Sequence, residues 1–210
     1  MKKIKMVVLT KSSKFKNNCV AGIDVNTGKW IRLVSDDENT HGALTDNDIS
    51  YQSGGKCKIL DIIIVQCIQD VPTIAQPENI LIDTDVYIER EGSTAIENVI
   101  ALHPAENHNR IFGNRYNYIK ESYLEDVDYS LTLIDSKNLN FTLQENDSGN
   151  LKLKVDFDYN GIRYENFSVT DPEYYDTKQG TTIETAYMVI SIGTPYKDNC
   201  YKFVAKIFEK

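Results

Sequence analysis

Hydrophobic and polar residues alternate with a period of two through most of the second half of the chain. Alternation of this kind is typical of a strand that turns one face to the core and the other to water. Four segments follow the pattern, namely 129–134, 139–144, 151–158 and 162–167, and the strand-like runs 187–192 and 200–208 close the sheet. The pattern therefore predicts antiparallel sheet throughout this half.

The first half opens with three short strand-like runs. Residues 6–9 and 20–23 are apolar and flank a loop that is rich in lysine. A turn signal at Asn26-Thr27-Gly28 precedes the third run, residues 29–34. Residues 58–67 form the most β-branched segment, which is typical of a central strand. We therefore predict a three-strand meander followed by a buried strand.

Local signals add one tight hairpin and one or two short helices. Asn160-Gly161 favours a two-residue type I′ turn, which needs positive φ at both positions. Residues 92–102 have a helical period, with Ser93 or Thr94 as the N-cap and Glu97 as a capping-box partner for Thr94. A second short helix is predicted from Asn117 to Leu124. Many short strands with few helices favour small β-barrels over a layered α/β fold.

The two ends of the chain resemble each other over a short stretch. Phe15-Lys-Asn-Asn-Cys19 aligns with Tyr196-Lys-Asp-Asn-Cys200, and Met6-Val-Val8 aligns with Met188-Val-Ile190. The similarity is consistent with a hairpin that occurs twice, although matches this short also arise by chance.

Length and composition describe a soluble globular chain. Its 210 residues can form one large all-β domain or two small ones, and 41% are hydrophobic. The four cysteines have neither zinc-site spacing nor the density of a disulfide scaffold, so we expect free thiols, no metal and no cofactor. The apolar run near the N-terminus is too short for a signal peptide or a membrane span. We therefore expect a cytoplasmic protein without membrane contact.

Charge is distributed unevenly along the chain. The formal net charge is −8, yet residues 1–35 contain eight Lys or Arg and one acid, Asp24. An acidic protein repels phosphate backbones, so contact with single-stranded nucleic acid would have to be local and salt-sensitive. The lysines can equally serve to keep edge strands soluble. Alternatively, the acidic second half could bind a protein partner.

Several short motifs carry a family resemblance. They are Leu9-Thr-Lys-Ser12, Cys19-Val-Ala-Gly-Ile-Asp24, Gly28-Lys-Trp-Ile-Arg32, Gln76-Pro-Glu-Asn79, Val169-Thr-Asp-Pro172 and Tyr201-Lys-Phe-Val-Ala205. In these motifs the chain resembles the dual OB-containing domain family of bacteria, nearly from end to end. The resemblance implies a mainly β chain with two OB-like barrels in tandem. It brings no catalytic residue to carry over.

These observations suggest a domain organisation. We predict a first OB-like barrel at residues 1–103, a connector at 104–128 and a second barrel at 129–210, against which the N-terminal hairpin can pack. The first barrel contains a long acidic loop at 35–55, a length that is usual for a lid, a binding loop or a mobile edge. The resemblance does not account for this loop.

OB barrels commonly bind single strands through a basic groove and aromatic rings on which bases stack. Residues of these types on the predicted loops and strands are Lys11, Lys14, Phe15, Lys16, Trp30, Arg32, Arg110, Arg115, Tyr196 and Lys197. Trp30 could equally be a core anchor. We therefore expect a non-enzymatic module that binds single-stranded nucleic acid or a nucleotide-containing ligand. The alternative is an accessory module that binds a protein and no nucleic acid.

The segment from His103 to Arg115 is the one weak candidate for catalysis. It combines His103 and His108 with Glu106, which could form an acid–base pair, and its arginines could bind a phosphate. The histidines are five residues apart outside any helix and match no metal-site template. A connector whose arginines pair with acids explains the segment equally well, and we do not predict an enzyme.

Overall fold

The computed structural model describes residues 2–14, 16–145 and 149–210, and for Lys14 it describes the backbone alone. Phe15, a predicted ligand contact, lies outside these ranges. The chain divides into two units. The first comprises Met1–Thr73 and Pro77–Pro104, and the second comprises Ile74–Gln76 and Ala105–Lys210. Residues 105–128, which we interpreted as a connector, are therefore part of the second unit.

The first unit contains a closed barrel of five strands. Its described strands and helix are β1 (Lys2–Lys14), β2 (Asn17–Asp24), β3 (Trp30–Val34), β4 (Asp61–Asp70), β5 (Asn79–Ile82), β6 (Glu89–Ser93) and α1 (Ile96–Leu102). The strands pair in the order β1-β2-β3-β5-β4, and β4 pairs again with β1 to close the ring. The pairing of β3 with β5 is parallel and all the others in the ring are antiparallel.

The second unit repeats this order. Its described strands are β7 (Tyr118–Lys120), β8 (Leu131–Glu145), β9 (Leu151–Tyr159), β10 (Ile162–Val169), β11 (Thr182–Ile192) and β12 (Asn199–Glu209). The ring runs β8-β9-β10-β12-β11 and returns to β8, again with one parallel pair, β10 with β12. The short strand β7 adds to the outer edge of β12.

A five-stranded ring in this order, with the third strand parallel to the fifth, is the OB topology. The predicted fold class, mainly β with two OB-like barrels, is confirmed. The repeat in the structure makes β1 equivalent to β8 and β4 equivalent to β11. The short sequence similarity instead matched the β1–β2 hairpin to the β11–β12 hairpin, which hold different places in their barrels. That similarity therefore does not reflect the structural repeat.

Long first strands let each barrel close. β1 pairs with β2 through its second half and with β4 through its first half, and a register shift between Val8 and Thr10 bends it. β8 has a similar shift between Lys137 and Asn140. The β1–β2 contact depends on Gly22, where a Cβ atom would lie 1.9 Å from the carbonyl oxygen of Val7.

A buried ion pair reinforces the parallel closure of the first barrel. Only three residue pairs join β3 to β5. The Arg32 guanidinium donates to Glu78, with Nε 3.0 Å and Nη2 2.9 Å from Oε1, and the backbone N–H of Arg32 donates to the Glu78 carbonyl oxygen. Both side chains are only 8% exposed. The ion pair therefore links β3 to the residue immediately before β5.

The second barrel also has an ion pair beside its parallel strands. Two residue pairs join β10 to β12. Asp171, two residues after β10, accepts from Lys206 Nζ at 3.2 Å and from the backbone N–H of Ile207 at 3.0 Å. Lys206 also pairs with Glu173. Both barrels therefore join their parallel strands with a buried or nearly buried pair of opposite charges.

Each barrel encloses its own apolar core, and the aromatic residues are concentrated in the second. The first core is mostly aliphatic, with residues such as Ile31, Leu33 and Ile63. The second includes Phe141, Phe157, Tyr164 and Phe167, and it also includes Ala75 from the Ile74–Gln76 segment. Phe157 stacks on Tyr164 with ring centroids 5.3 Å apart.

Several local predictions differ from the structure. The predicted capping box is absent, since α1 begins at Ile96 after Ala95, which has no side-chain cap, and Gly92 and Ser93 belong to β6. The predicted second helix is instead β7 followed by a 3₁₀ turn at Glu121–Asp126. The separate runs at 129–134 and 139–144 form the single strand β8. The Asn160-Gly161 turn is confirmed, with φ of 48° and 72°.

The closure of the first barrel can be tested through its ion pair. Replacing Glu78 by Gln leaves a buried guanidinium without its counter-ion, so we expect the free energy of unfolding to fall by about 3–5 kcal/mol. Urea titration monitored by Trp30, the only tryptophan and a residue of β3, measures this loss.

A surface pair provides the control for this measurement. Lys3 and Glu89 pair at 2.6 Å but are 59% and 56% exposed, so Lys3→Ala should cost less than about 1 kcal/mol. An equal loss in Glu78→Gln and Lys3→Ala would contradict a structural role for the buried pair.

Candidate functional site

The lysines of the first hairpin lie beside the acidic loop. Asn18 in β2 forms a bridge with Leu44, and its amide donates to Asp46 at 3.1 Å. Asp46 also pairs with Lys56, and these contacts hold the pKa of its carboxyl below the usual value. Lys11 Nζ donates to the Cys57 carbonyl oxygen at 3.1 Å. These contacts attach the acidic loop to the hairpin, and the carboxylate of Asp46 has its ion pair with Lys56, outside the hairpin.

Further basic residues of the N-terminal region have acidic partners. Lys3 pairs with Glu89 and Lys5 pairs with Glu91, both across the sheet from β1 to β6. Lys16, a predicted ligand contact, is exposed with φ of 66°. These pairs favour the interpretation that the lysines keep the sheet edges soluble.

Two residues of β3 that we predicted to contact a ligand, Trp30 and Arg32, differ in their burial and partners. Trp30 is half-buried at the start of the strand. Arg32 is buried, and its guanidinium is held by Glu78. Because that charge already has a buried partner, we assign Arg32 to barrel closure and leave it out of the ligand surface proposed below.

In the second unit, the polar segment after the domain boundary is attached to the barrel. His108 Nε2 lies 3.1 Å from Thr132 Oγ1 and 3.4 Å from Glu106 Oε2, and the Thr132 hydroxyl donates to Glu106. The His108 ring stacks on Tyr129 with centroids 4.5 Å apart. The suggested acid–base pair therefore exists as a contact, and β8, which carries Thr132, holds it in place.

Backbone groups of the same segment are also bound. The Tyr159 hydroxyl donates to the Glu106 carbonyl oxygen at 2.9 Å and accepts from the His108 N–H at 2.7 Å. His103 is elsewhere, because it belongs to the first unit and its ring lies against Gly28. The two histidines are thus not members of one site within either unit. The contacts of His108 and Glu106 position the segment on the barrel.

A buried lysine holds the next part of the segment. Lys202 of β12 is 1% exposed, and its Nζ donates to the carbonyl oxygens of Ile111 and Asn114 and to Asn114 Oδ1, at 2.7, 3.0 and 2.8 Å. All three acceptors are neutral. Burial lowers the pKa of Lys202 to about 7. Above this contact the chain adopts a 3₁₀ turn in which Phe112 has a φ of 48°.

An aromatic strip with a cationic end lies on the outer edge of this barrel. It consists of Arg115, Tyr116, Tyr118 and Tyr201. Tyr118 of β7 and Tyr201 of β12 are register partners with ring centroids 6.3 Å apart, and Tyr116 stacks on Tyr118 at 6.0 Å. The Arg115 guanidinium lies 5.7 Å from the centre of the Tyr116 ring. Tyr116 is 54% exposed and Tyr201 is also exposed, so rings of a ligand can reach the strip.

The β11–β12 loop adds a second aromatic–cation pair to this unit. Lys197 Nζ lies 5.3 Å from the centre of the Tyr196 ring, and both side chains are exposed. Arg110 is exposed as well. In an OB barrel this loop, between the fourth and fifth strands, is one of those that contact ligands. Of the predicted contacts, Arg110, Arg115, Tyr196 and Lys197 thus belong to one unit.

Sequence reasoning missed the three tyrosines of the strip. Tyr116 and Tyr118 are two residues apart, a spacing that places them on one face of an extended segment. This signal was hidden because residues 117–124 were predicted to be helical. Tyr201 joins them only through the pairing of β7 with β12, which no local pattern predicts.

Two features are absent from the described part of the chain. No group of three or more His, Cys, Asp or Glu side chains is arranged to hold a metal ion. None of the described helices has the length and apolar character needed to cross a membrane.

The buried Lys202 makes stability depend on pH. In the unfolded chain its pKa returns to the ordinary value, so above about pH 7 the unfolded state binds one more proton than the folded state. The contribution of Lys202 to the free energy of unfolding should therefore rise with pH, by up to about 1.4 kcal/mol per unit. Urea unfolding monitored by circular dichroism, compared with Lys202→Met between about pH 7 and 9, measures this slope.

The exposed Lys137 of β8 supplies the control. The difference between the unaltered protein and Lys137→Met should not change over the same range. A flat difference for Lys202→Met would contradict the lowered pKa.

Comparison with known proteins agrees with this topology. The family model described as dual OB-containing domain matches residues 4–207. No curated protein matches the chain. No solved structure matches it either. The match covers nearly all of the 210 residues, and the chain belongs to the dual OB-containing domain family.

Proposed function

We propose that this protein is a non-enzymatic OB-type binding module for single-stranded nucleic acid, and that the aromatic strip of the second unit is its contact surface. The observation that supports this most directly is the row formed by Tyr116, Tyr118 and Tyr201, with Arg115 over its end. Exposed rings in a row offer successive bases a surface for stacking. Tyr201 lies on β12, the fifth strand of this OB barrel, which follows a loop that commonly contacts ligands in this fold, and the rest of the strip lies on β7 and the residues before it.

The strip offers planar surfaces with few charges. Its spacing of 6.0–6.3 Å between ring centroids suits bases that are spread apart along an extended strand. Arg115 and Lys197 provide the nearby positive charges, each over a tyrosine ring. Stacking should therefore contribute more to affinity than phosphate contacts do, which agrees with a protein whose net charge is −8.

Removing single rings tests the proposal. Each of Tyr116→Ala and Tyr201→Ala should weaken binding of a fluorescein-labelled oligo(dT) of about 12 nucleotides by about 5- to 150-fold, because one stacked base contributes roughly 1–3 kcal/mol. Fluorescence anisotropy at low salt measures the dissociation constants.

A tyrosine of similar exposure gives the matched control. Tyr87 of the first unit is 58% exposed against 54% for Tyr116, and Tyr87→Ala should bind the oligonucleotide like the unaltered protein. The double variant Lys14→Glu with Lys16→Glu tests the first hairpin in the same assay. Loss of binding in that variant, with no loss in Tyr116→Ala and Tyr201→Ala, would place the contact on the first hairpin and reject the strip.

The salt dependence should be shallow. Neutralising one phosphate of a single strand contributes about −0.7 to the slope of log affinity against log salt, so two cations predict a slope of about −1.4. Titrations over several potassium chloride concentrations measure it. A slope steeper than about −4 would show that a larger basic surface binds the strand and that the strip is not the main contact.

A further inference from the structure

The first unit contains an open cleft whose lining is mostly polar, unlike the aromatic strip of the second unit. Its volume is about 650 Å³, within the range of roughly 300–1,000 Å³ that holds small ligands. Two connections line it. One is the acidic loop between β3 and β4, through Asn47 to Gly55, and the other is the β5–β6 connection at residues 84–87. The long loop that the sequence left without a role thus forms one wall of a cleft.

The floor of the cleft is fixed in place. Tyr51 forms a parallel bridge with Ile88, which joins the two connections, and its hydroxyl donates to Asp61 at 2.5 Å. Asp61 in turn accepts from Arg90 Nε at 2.8 Å. On the loop itself, the Tyr51 N–H donates to the Gly55 carbonyl oxygen at 3.0 Å. These contacts fix the two walls to each other, and a site that is held in place pays a lower entropy cost on binding.

The lining offers hydrogen-bonding groups that have no partner inside the described part of the chain. These are the carboxamides of Asn47 and Gln52 and the hydroxyl of Thr84. The space beside the backbone of Gly54 and Gly55 is open, because no atom lies within 4 Å of where a Cβ would stand on either residue, although the Gly54 N–H and the Gly55 carbonyl oxygen are bonded to the backbone of Tyr51. Carboxamides donate and accept at once, as sugar hydroxyl groups do.

An exposed tyrosine ring and a negative charge in the lining indicate a ligand that has an apolar ring face and no phosphate group. Tyr87 is 58% exposed and Val86 lies beside it, so the cleft has one apolar patch large enough for the C–H face of a sugar ring. Asp85 is the only charged residue among the described residues that line the cleft. A carboxylate accepts from hydroxyl groups but repels phosphate, and none of these described lining residues is a lysine or arginine that could offset it.

We propose that this cleft binds a neutral polyhydroxylated ligand, a sugar or a short glycan, stacked on Tyr87 and hydrogen-bonded to the side chains of Asn47, Gln52 and Thr84. OB barrels as a class accommodate oligosaccharides as well as nucleic acids. This site uses residues of the first unit alone and is independent of the strand-binding proposal.

Amide NMR spectra of the full chain test the site. The probes are glucose, galactose, mannose, N-acetylglucosamine and the short oligomers of glucose and N-acetylglucosamine, each up to about 50 mM, so that dissociation constants in the millimolar range are measured. At least one should move the signals of Gly54, Gly55 and Tyr87 saturably. The oligomers distinguish a chain-binding site, which prefers them, from a free-sugar site, which does not.

Variants and charged probes make the result specific. Tyr87→Ala should weaken binding at least about tenfold, equivalent to about 1.4 kcal/mol, while Tyr116→Ala should leave it unchanged. Glucose 6-phosphate should bind more weakly than glucose.

Three results would overturn the proposal. The first is that none of the neutral sugars shifts the signals of Gly54 and Gly55 saturably. The second is that Tyr87→Ala binds the sugar as tightly as the unaltered protein does. The third is that glucose 6-phosphate binds more tightly than glucose. Each can occur whether or not the oligonucleotide binds Tyr116 and Tyr201, so the two proposals fail separately.

Discussion

The parallel pairing that closes each barrel is the constraint on which the rest of the structure depends. It is short in both units, and a pair of opposite charges reinforces it in each, Arg32 with Glu78 and Asp171 with Lys206. A buried charge pair contributes little net stability, but it is costly to break, because the remaining charge stays without a partner. Such a pair therefore selects one register for strands that few backbone hydrogen bonds hold. The family motifs contain Arg32, Glu78 and Asp171, so much of the resemblance reflects closure rather than ligand binding.

The second barrel uses buried polar groups in a related way to hold a segment that has no regular structure of its own. Residues 105–117 have few strand hydrogen bonds, and their backbone groups are bound by Tyr159 and by the ammonium group of Lys202. The segment leads directly into β7, which brings Tyr118 opposite Tyr201. The position of the aromatic strip thus depends on a buried lysine that holds the chain just before Arg115.

Much of the fold could be predicted from the sequence because alternation and turn chemistry act locally. Asn160-Gly161 is an example, since two adjacent residues suffice to specify the turn. β6 could not be predicted in the same way, because Glu89–Ser93 has no apolar alternation and pairs only at the edge of β4. Arg32 shows a different limit. A guanidinium suits a phosphate and a buried carboxylate equally well, and its partner Glu78 is 46 residues away, so only the tertiary structure distinguishes the two.

The second core includes a residue that is distant in the chain. Ala75 packs among the aromatic side chains of the second unit, and Gln76 donates to the Ile192 carbonyl oxygen at 3.2 Å, although both residues precede β5 of the first barrel. A C-terminal fragment that begins after Pro104 would lack Ile74–Gln76 and would therefore have a cavity in its core where Ala75 packs. An isolated fragment of that kind would need the missing tripeptide back, either fused by a short tether or added as a synthetic peptide.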